Sequence, residues 1–166
     1  MFSQKYLEKL GMLLQKAIET QWRVIKEAGE LVAEAIVQGG ILHVFGVGHS
    51  HMLAEEAFFR AGGLAAVNAI FEPSLMLHEG VLKSARLENL TGFAQILLDH
   101  YEVKEKDVLL LISNSGVNAV PVEMAIEAKR RNVPTIAITS VRYSQAVKGD
   151  CLAFFVVGCM VIDNGI

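Results

Sequence analysis

Two cysteines, Cys151 and Cys159, are too few for a disulfide framework in 166 residues, which fits a reducing cytoplasm. The longest apolar run, residues 151–162, falls short of the roughly 20 residues that span a bilayer. Lys5, Glu8 and Lys9 interrupt the apolar residues of the N-terminus, which therefore lacks the core of a signal peptide. Neither sign of charge dominates. The net charge is −3, with acids and bases interleaved, which argues against a broad nucleic-acid or polyanion surface. Any anionic ligand must then be held locally, by dipoles and hydroxyls. Internal repeats, low-complexity tracts and linkers are also missing. What remains is a chain that is 52% hydrophobic, enough for one domain with a sizeable core over residues 1–166.

The most informative stretch is Val108-Leu-Leu-Leu-Ile-Ser-Asn-Ser-Gly-Val-Asn118. Five apolar residues without alternation read as a buried parallel strand, and a helical pattern follows a short polar loop. The carboxyl end of such a strand is where an open α/β sheet receives its ligand. The loop supplies the hydroxyls of Ser113 and Ser115, the amides of Asn114 and Asn118, and Gly116, where backbone approaches a ligand closely. With the dipole of the next helix, this composition points to a bound phosphate. The plainer reading is a serine-rich helix cap.

Residues 41–46 repeat the arrangement. A strand at 41–45 runs into Gly46-Val-Gly-His-Ser-His51, and a helix begins at 52–60. If the two strands are neighbours, Ser50 is a third hydroxyl at one anion site, with His49 and His51 beside it. A further strand at 133–138 ends in Thr139-Ser140, again hydroxyls at a carboxyl edge. Other strands and helices are expected at 65–71, 90–101 and 120–131. Apolar residues recur at helical spacing from Leu7 to Ile36, in one long helix or two shorter ones. A helix of that length needs a partner surface, so a homodimer is expected.

Sharper motifs compete for the first loop. Gly46-x-Gly48 with Glu72 resembles a dinucleotide fingerprint, but His51 stands in place of the third glycine. Gly48-His-Ser-His-Met52 lacks the last glycine of a nucleophile elbow. His49-x-His51 has no placed third ligand for zinc, so no metal or cofactor is expected. The long connection 72–89 carries His78-Glu79, an imidazole beside a carboxylate that can exchange protons if both face the pocket, or a solvated surface loop if they do not.

Ile112-Ser-Asn-Ser-Gly-Val-Asn-Ala-Val-Pro-Val-Glu-Met-Ala125, followed by Ile136-Ala-Ile-Thr-Ser140, resembles the sugar isomerase (SIS) domain. Gly46-Val-Gly-His-Ser-His-Met-Leu-Ala-Glu-Glu56 is similar to that family's first phosphate loop, and Glu72-Pro-Ser-Leu-Met-Leu-His-Glu-Gly80 to a bacterial branch carrying phosphoheptose isomerase labels. The likeness runs to about Val147. It implies a three-layer α/β/α fold with a flavodoxin-like parallel sheet of about five strands, homodimers, and a phosphosugar at the strand ends. Ser50, Ser113, Ser115, Thr139 and Ser140 would face the phosphate. Gly48, His49, Asn114, Gly116 and Asn118 would line the site, and His51 would adjoin it. His49, Glu55, His78 and Glu79 are the candidate acids and bases of a sugar-phosphate isomerase. A phosphosugar sensor without catalysis and an amino-sugar phosphate etherase share the same loops.

Two departures stand out. Phosphoheptose isomerases carry a catalytic glutamate ten residues after the first-loop serine, and Arg60 stands there. Their second proton-transfer group, a histidine, lies on a last helix that would follow Ile166, so the C-terminal part of the domain is expected to be missing. Residues 148–160 are also more apolar than in relatives, as a natural variant or a local reading-frame slip would make them.

Overall fold

A computed structural model describes residues 2–147, 154 and 157–165. The chain opens with α1 (Phe2–Val37), one unbroken helix of 36 residues rather than two. Then follow β1 (Leu42–Gly46), α2 (His51–Phe58), β2 (Val67–Ala69), α3 (Val81–Leu87), α4 (Phe93–His100) and β3 (Val108–Ile112). The chain continues through α5 (Ala119–Arg130), β4 (Thr135–Thr139), α6 (Val141–Ala146) and β5 (Met160–Asp163).

The five strands form one parallel sheet in the order β2-β1-β3-β4-β5. This is the flavodoxin-like order, whose topological switch point lies between β1 and β3. The central strand β3 is apolar along its whole length because both sides of the sheet are covered. Phe45, Leu109, Leu111 and Ala137 pack with Leu97, Leu98, Val120 and Met124 of α4 and α5. Val44 and Ile112 meet Ala54 of α2, and Val108 and Ile136 meet Ala28 of α1. Helices on two faces of one sheet make the expected three-layer α/β/α arrangement.

The edges differ from the sequence reading in two places. Pairing of the 65–71 segment shrinks to Val67–Ala69 plus two flanking bonds, from Leu42 N–H to the Ala66 carbonyl at 3.0 Å and from Ile70 N–H to the Val44 carbonyl at 2.9 Å. The ladder stops because Tyr101 Oη takes both backbone groups of Phe71, accepting from its N–H at 2.9 Å and donating to its carbonyl at 2.7 Å. The 72–89 connection holds two short 3₁₀ turns, Pro73–Leu75 and Leu77–Glu79, before α3. The buried Ser84 hydroxyl ties α3 to the first turn by donating to the Leu75 carbonyl at 2.8 Å. At the opposite edge, Gln21 of α1 accepts from the Asp163 N–H of β5 at 3.0 Å. Most of the unusual apolar segment at 148–160, including Cys151, lies outside the described residues.

Candidate functional site

The register of β1 and β3 sets Gly46 beside Ile112, so the two polar loops leave the sheet side by side at its switch point. Between them lies a cavity of about 210 Å³. Its walls are Val47 and Ser50 from the first loop, Ile112, Ser113, Asn114, Ser115 and Asn118 from the second, and Glu88, Pro121 and Tyr143 from the surrounding helices. Ser50, Ser113 and Ser115, expected at one site, line this one cavity.

Local chemistry explains how the loops hold this shape. A side chain at Gly46 would place its Cβ 2.6 Å from the Ser50 backbone, so only glycine lets the first loop fold back over its own strand. Gly116 sits at φ +63°, and its missing Cβ would stand 3.1 Å from both Phe154 and the Thr139 hydroxyl. The buried Ser113 hydroxyl accepts from the Gly116 N–H at 3.0 Å, which leaves its own proton to donate. Ser50 stands at the N-cap position of α2 and Asn118 at that of α5, and neither side chain makes a capping bond. The capping explanation for these residues therefore does not account for them. The first turn of α5 is less open than its sequence implies. Val120 N–H donates to the Glu88 carbonyl at 2.9 Å, and Pro121 has no N–H.

The remaining sequence candidates fall into three groups. Thr139 and Ser140 are buried behind the cavity. Thr139 Oγ1 lies 3.3 Å from the Asn114 carbonyl and from Ser144 Oγ, and Ser140 Oγ caps α6 by accepting from Tyr143 N–H at 3.0 Å. The second group is a cluster over the first loop. Buried His51 bonds the Gly48 carbonyl through Nδ1 and meets Glu55 at 3.1 Å through Nε2. His78 meets the His51 ring edge-on, centroids 5.5 Å apart. The third group faces outward. His49 is exposed, and Glu79 pairs with Lys83 at 2.6 Å, which holds its carboxyl below the usual range. Arg60 pairs with Glu56 at 3.4 Å on the surface of the chain after α2. Among the described residues no three His, Cys, Asp or Glu side chains are grouped to hold a metal ion, and no helix is long and apolar enough to cross a membrane.

Glu88 and Tyr143 line the cavity without having been singled out from the sequence. Glu88 follows the seven-residue α3, too short to show a helical period, and nothing local marks it as facing inward. Burial lifts its carboxyl above the ordinary carboxylate value, opposed by the neighbouring Asn118 side chain.

The model of the SIS domain family matches residues 5–140. The chain belongs to the SIS domain family. Among its relatives are UPF0309 proteins of Halalkalibacterium halodurans, 49% identical over 142 residues, and of Caldanaerobacter subterraneus, 45% identical over 141. These alignments cover 86% and 84% of this chain, but only 59% and 57% of the relatives. A UPF0309 protein of Geobacillus kaustophilus is 42% identical over 164 residues, covering 96% of this chain and 65% of its own length. This SIS chain thus spans roughly three fifths of the length of the relatives it matches. In three dimensions it is similar to a phosphoheptose isomerase of Neisseria gonorrhoeae, with a TM-score of 0.65 over 99% of this chain and 86% of that one. A phosphoheptose isomerase of Francisella tularensis gives 0.65 over 95% and 92%. Both are 19% identical, a likeness of fold alone.

Proposed function

We propose that this SIS domain binds a phosphorylated sugar at the β1–β3 switch point and acts as a sugar-phosphate isomerase of carbohydrate derivative metabolism in the cytoplasm. One observation carries the reading: Ser50, Ser113 and Ser115 line a single cavity at the carboxyl edge of the sheet. Hydroxyl donors and loop N–H groups can neutralise a phosphate without a cationic side chain, and none lines the cavity among the described residues. The solved phosphoheptose isomerases of the same fold support that substrate class. The test is calorimetric titration with hexose, heptose and amino-sugar phosphates against the unphosphorylated sugars. Binding that requires the phosphate is expected; equal affinity for the free sugars overturns the reading.

A phosphosugar sensor is the second reading, favoured by Arg60 at the position where the family resemblance expects a carboxylate. It predicts thermal stabilisation by sugar phosphates with no solvent exchange into them. We also infer that the domain pairs with a second copy along α1. Every residue from 2 to 16 is exposed, among them Phe2, Tyr6, Leu7, Leu10 and Leu14, an apolar load that a helix does not leave in water. Light scattering at micromolar concentration is expected to give twice the mass of one chain.

A further inference from the structure

We propose that Glu88 is the catalytic base of this site, removing and returning the proton that an aldose-ketose isomerisation moves between adjacent carbons. The proposal rests on the phosphosugar reading above and deepens it. Among the described residues lining the cavity, Glu88 supplies the one carboxyl group, and Tyr143 of α6 is the only other ionisable side chain there. The hydroxyls of Ser50, Ser113 and Ser115 can hold an anion but are poor bases near neutrality, whereas a carboxylate in the same cavity has the basicity that proton abstraction beside a carbonyl needs.

The main chain of Glu88 is fixed on both sides. Its N–H donates to the Ser84 carbonyl at 2.9 Å, and its carbonyl accepts from Val120 N–H at 2.9 Å, at the start of the helix that follows the Ser113 loop. The Glu88 backbone is thereby tied to the helix that follows the Ser113 loop. Asn118, from that loop, lines the same cavity. Partial burial raises the proton affinity of the Glu88 carboxyl above that of a free one.

The step balances without a cofactor. The Glu88 carboxylate takes the proton from the carbon next to the aldose carbonyl. The electron pair of that C–H bond forms the C=C bond of an enediolate, and the carbonyl pair moves onto oxygen. Glu88 then returns its proton to the former carbonyl carbon, while the neighbouring hydroxyl proton passes through solvent to the former carbonyl oxygen. A ketose phosphate results.

Glu88→Gln separates this proposal from the binding reading, because the amide keeps the shape and removes the base. Wild type and variant are titrated with the sugar phosphates by calorimetry, and proton NMR in D₂O follows deuterium entry next to the carbonyl. Wild type is expected to exchange. E88Q is expected to bind the same sugar phosphate within about threefold and to exchange at least about a hundredfold more slowly. Glu88→Asp should recover part of the rate. The acid limb of the wild-type pH profile should vanish in the residual activity of E88Q. Exchange in E88Q within tenfold of wild type, or wild-type binding without any exchange, overturns the role of Glu88 while leaving phosphosugar binding standing. Failure of the wild type to bind any sugar phosphate overturns the binding reading itself.

Discussion

The two edges of the sheet use polar residues in opposite ways. At the amino edge, His43 and Asp107 are 2% and 3% exposed, and their polar atoms are spoken for inside the fold. Asp107 accepts from Ile41 N–H at 2.9 Å and Lys104 N–H at 2.8 Å, and meets His43 Nε2 at 3.3 Å. His43 Nδ1 lies 3.1 Å from the Asn68 amide. This network closes on itself and ties β1, β2 and β3 together. At the carboxyl edge, Ser50 caps nothing, the Ser113 hydroxyl keeps a proton to give, and a carboxyl is held where burial opposes its charge. A set of polar groups that satisfy one another stabilises a fold; a set that converges on a cavity is arranged for something else.

The contrast can be broken most severely at the amino edge. Asp107→Ala strips the acceptor from two backbone N–H groups and a buried imidazole, and should cost roughly 3–5 kcal/mol of unfolding free energy in a urea titration. A loss under 1 kcal/mol would remove the amino edge from its structural role. The carboxyl edge should respond in affinity instead. Replacing Ser50, Ser113 and Ser115 together by alanine is expected to weaken sugar-phosphate binding at least about a hundredfold, since a hydrogen bond to a charged group is worth about 1.5–3 kcal/mol. Undiminished calorimetric affinity would mean the phosphate sits elsewhere.

Gly116→Ala lies between the two extremes. Its φ of +63° and the 3.1 Å approach of Phe154 and Thr139 leave no relaxed place for a methyl group. Both edges of the comparison should register it, as about 1–3 kcal/mol of lost stability and a weakened ligand affinity measured on the folded fraction. The smallest effect is a pH dependence confined to the amino edge. Burial, opposed by Asp107, holds the His43 ring below its ordinary 6.5, so the ring is neutral in the fold and charges first in the unfolded chain. Stability is therefore complete above about pH 6.5 and falls as the pH drops below it, by at most about 1.4 kcal/mol per unit from this one group. Urea midpoints that stay level from pH 7.5 to 5.5, or that rise on acidification, would contradict this.

Much of the architecture was legible because it rests on short-range pattern. The unbroken apolar run at 108–112 and the mostly apolar stretches at 41–45 and 133–138 read as strands covered on both faces, and the loops after the first two announced themselves by glycine, serine and asparagine. The third hydroxyl pair, Thr139-Ser140, reads the same way in sequence and is used differently, as a buried link and a helix cap. Glu79 was equally prominent, yet Lys83 one turn further along occupies it. Glu88 was invisible for the opposite reason: a lone glutamate after a seven-residue helix has no neighbours that betray its direction.

By itself, then, the amino-acid sequence determined four of the five strands and the two glycine- and serine-bearing loops that follow β1 and β3, because burial on two faces and glycine's freedom act through residues adjacent along the chain. Only the tertiary structure decided which polar groups share a cavity. That depends on β1 lying beside β3 and on the Val120 N–H holding the carbonyl of Glu88, contacts between segments distant in sequence that no local pattern encodes.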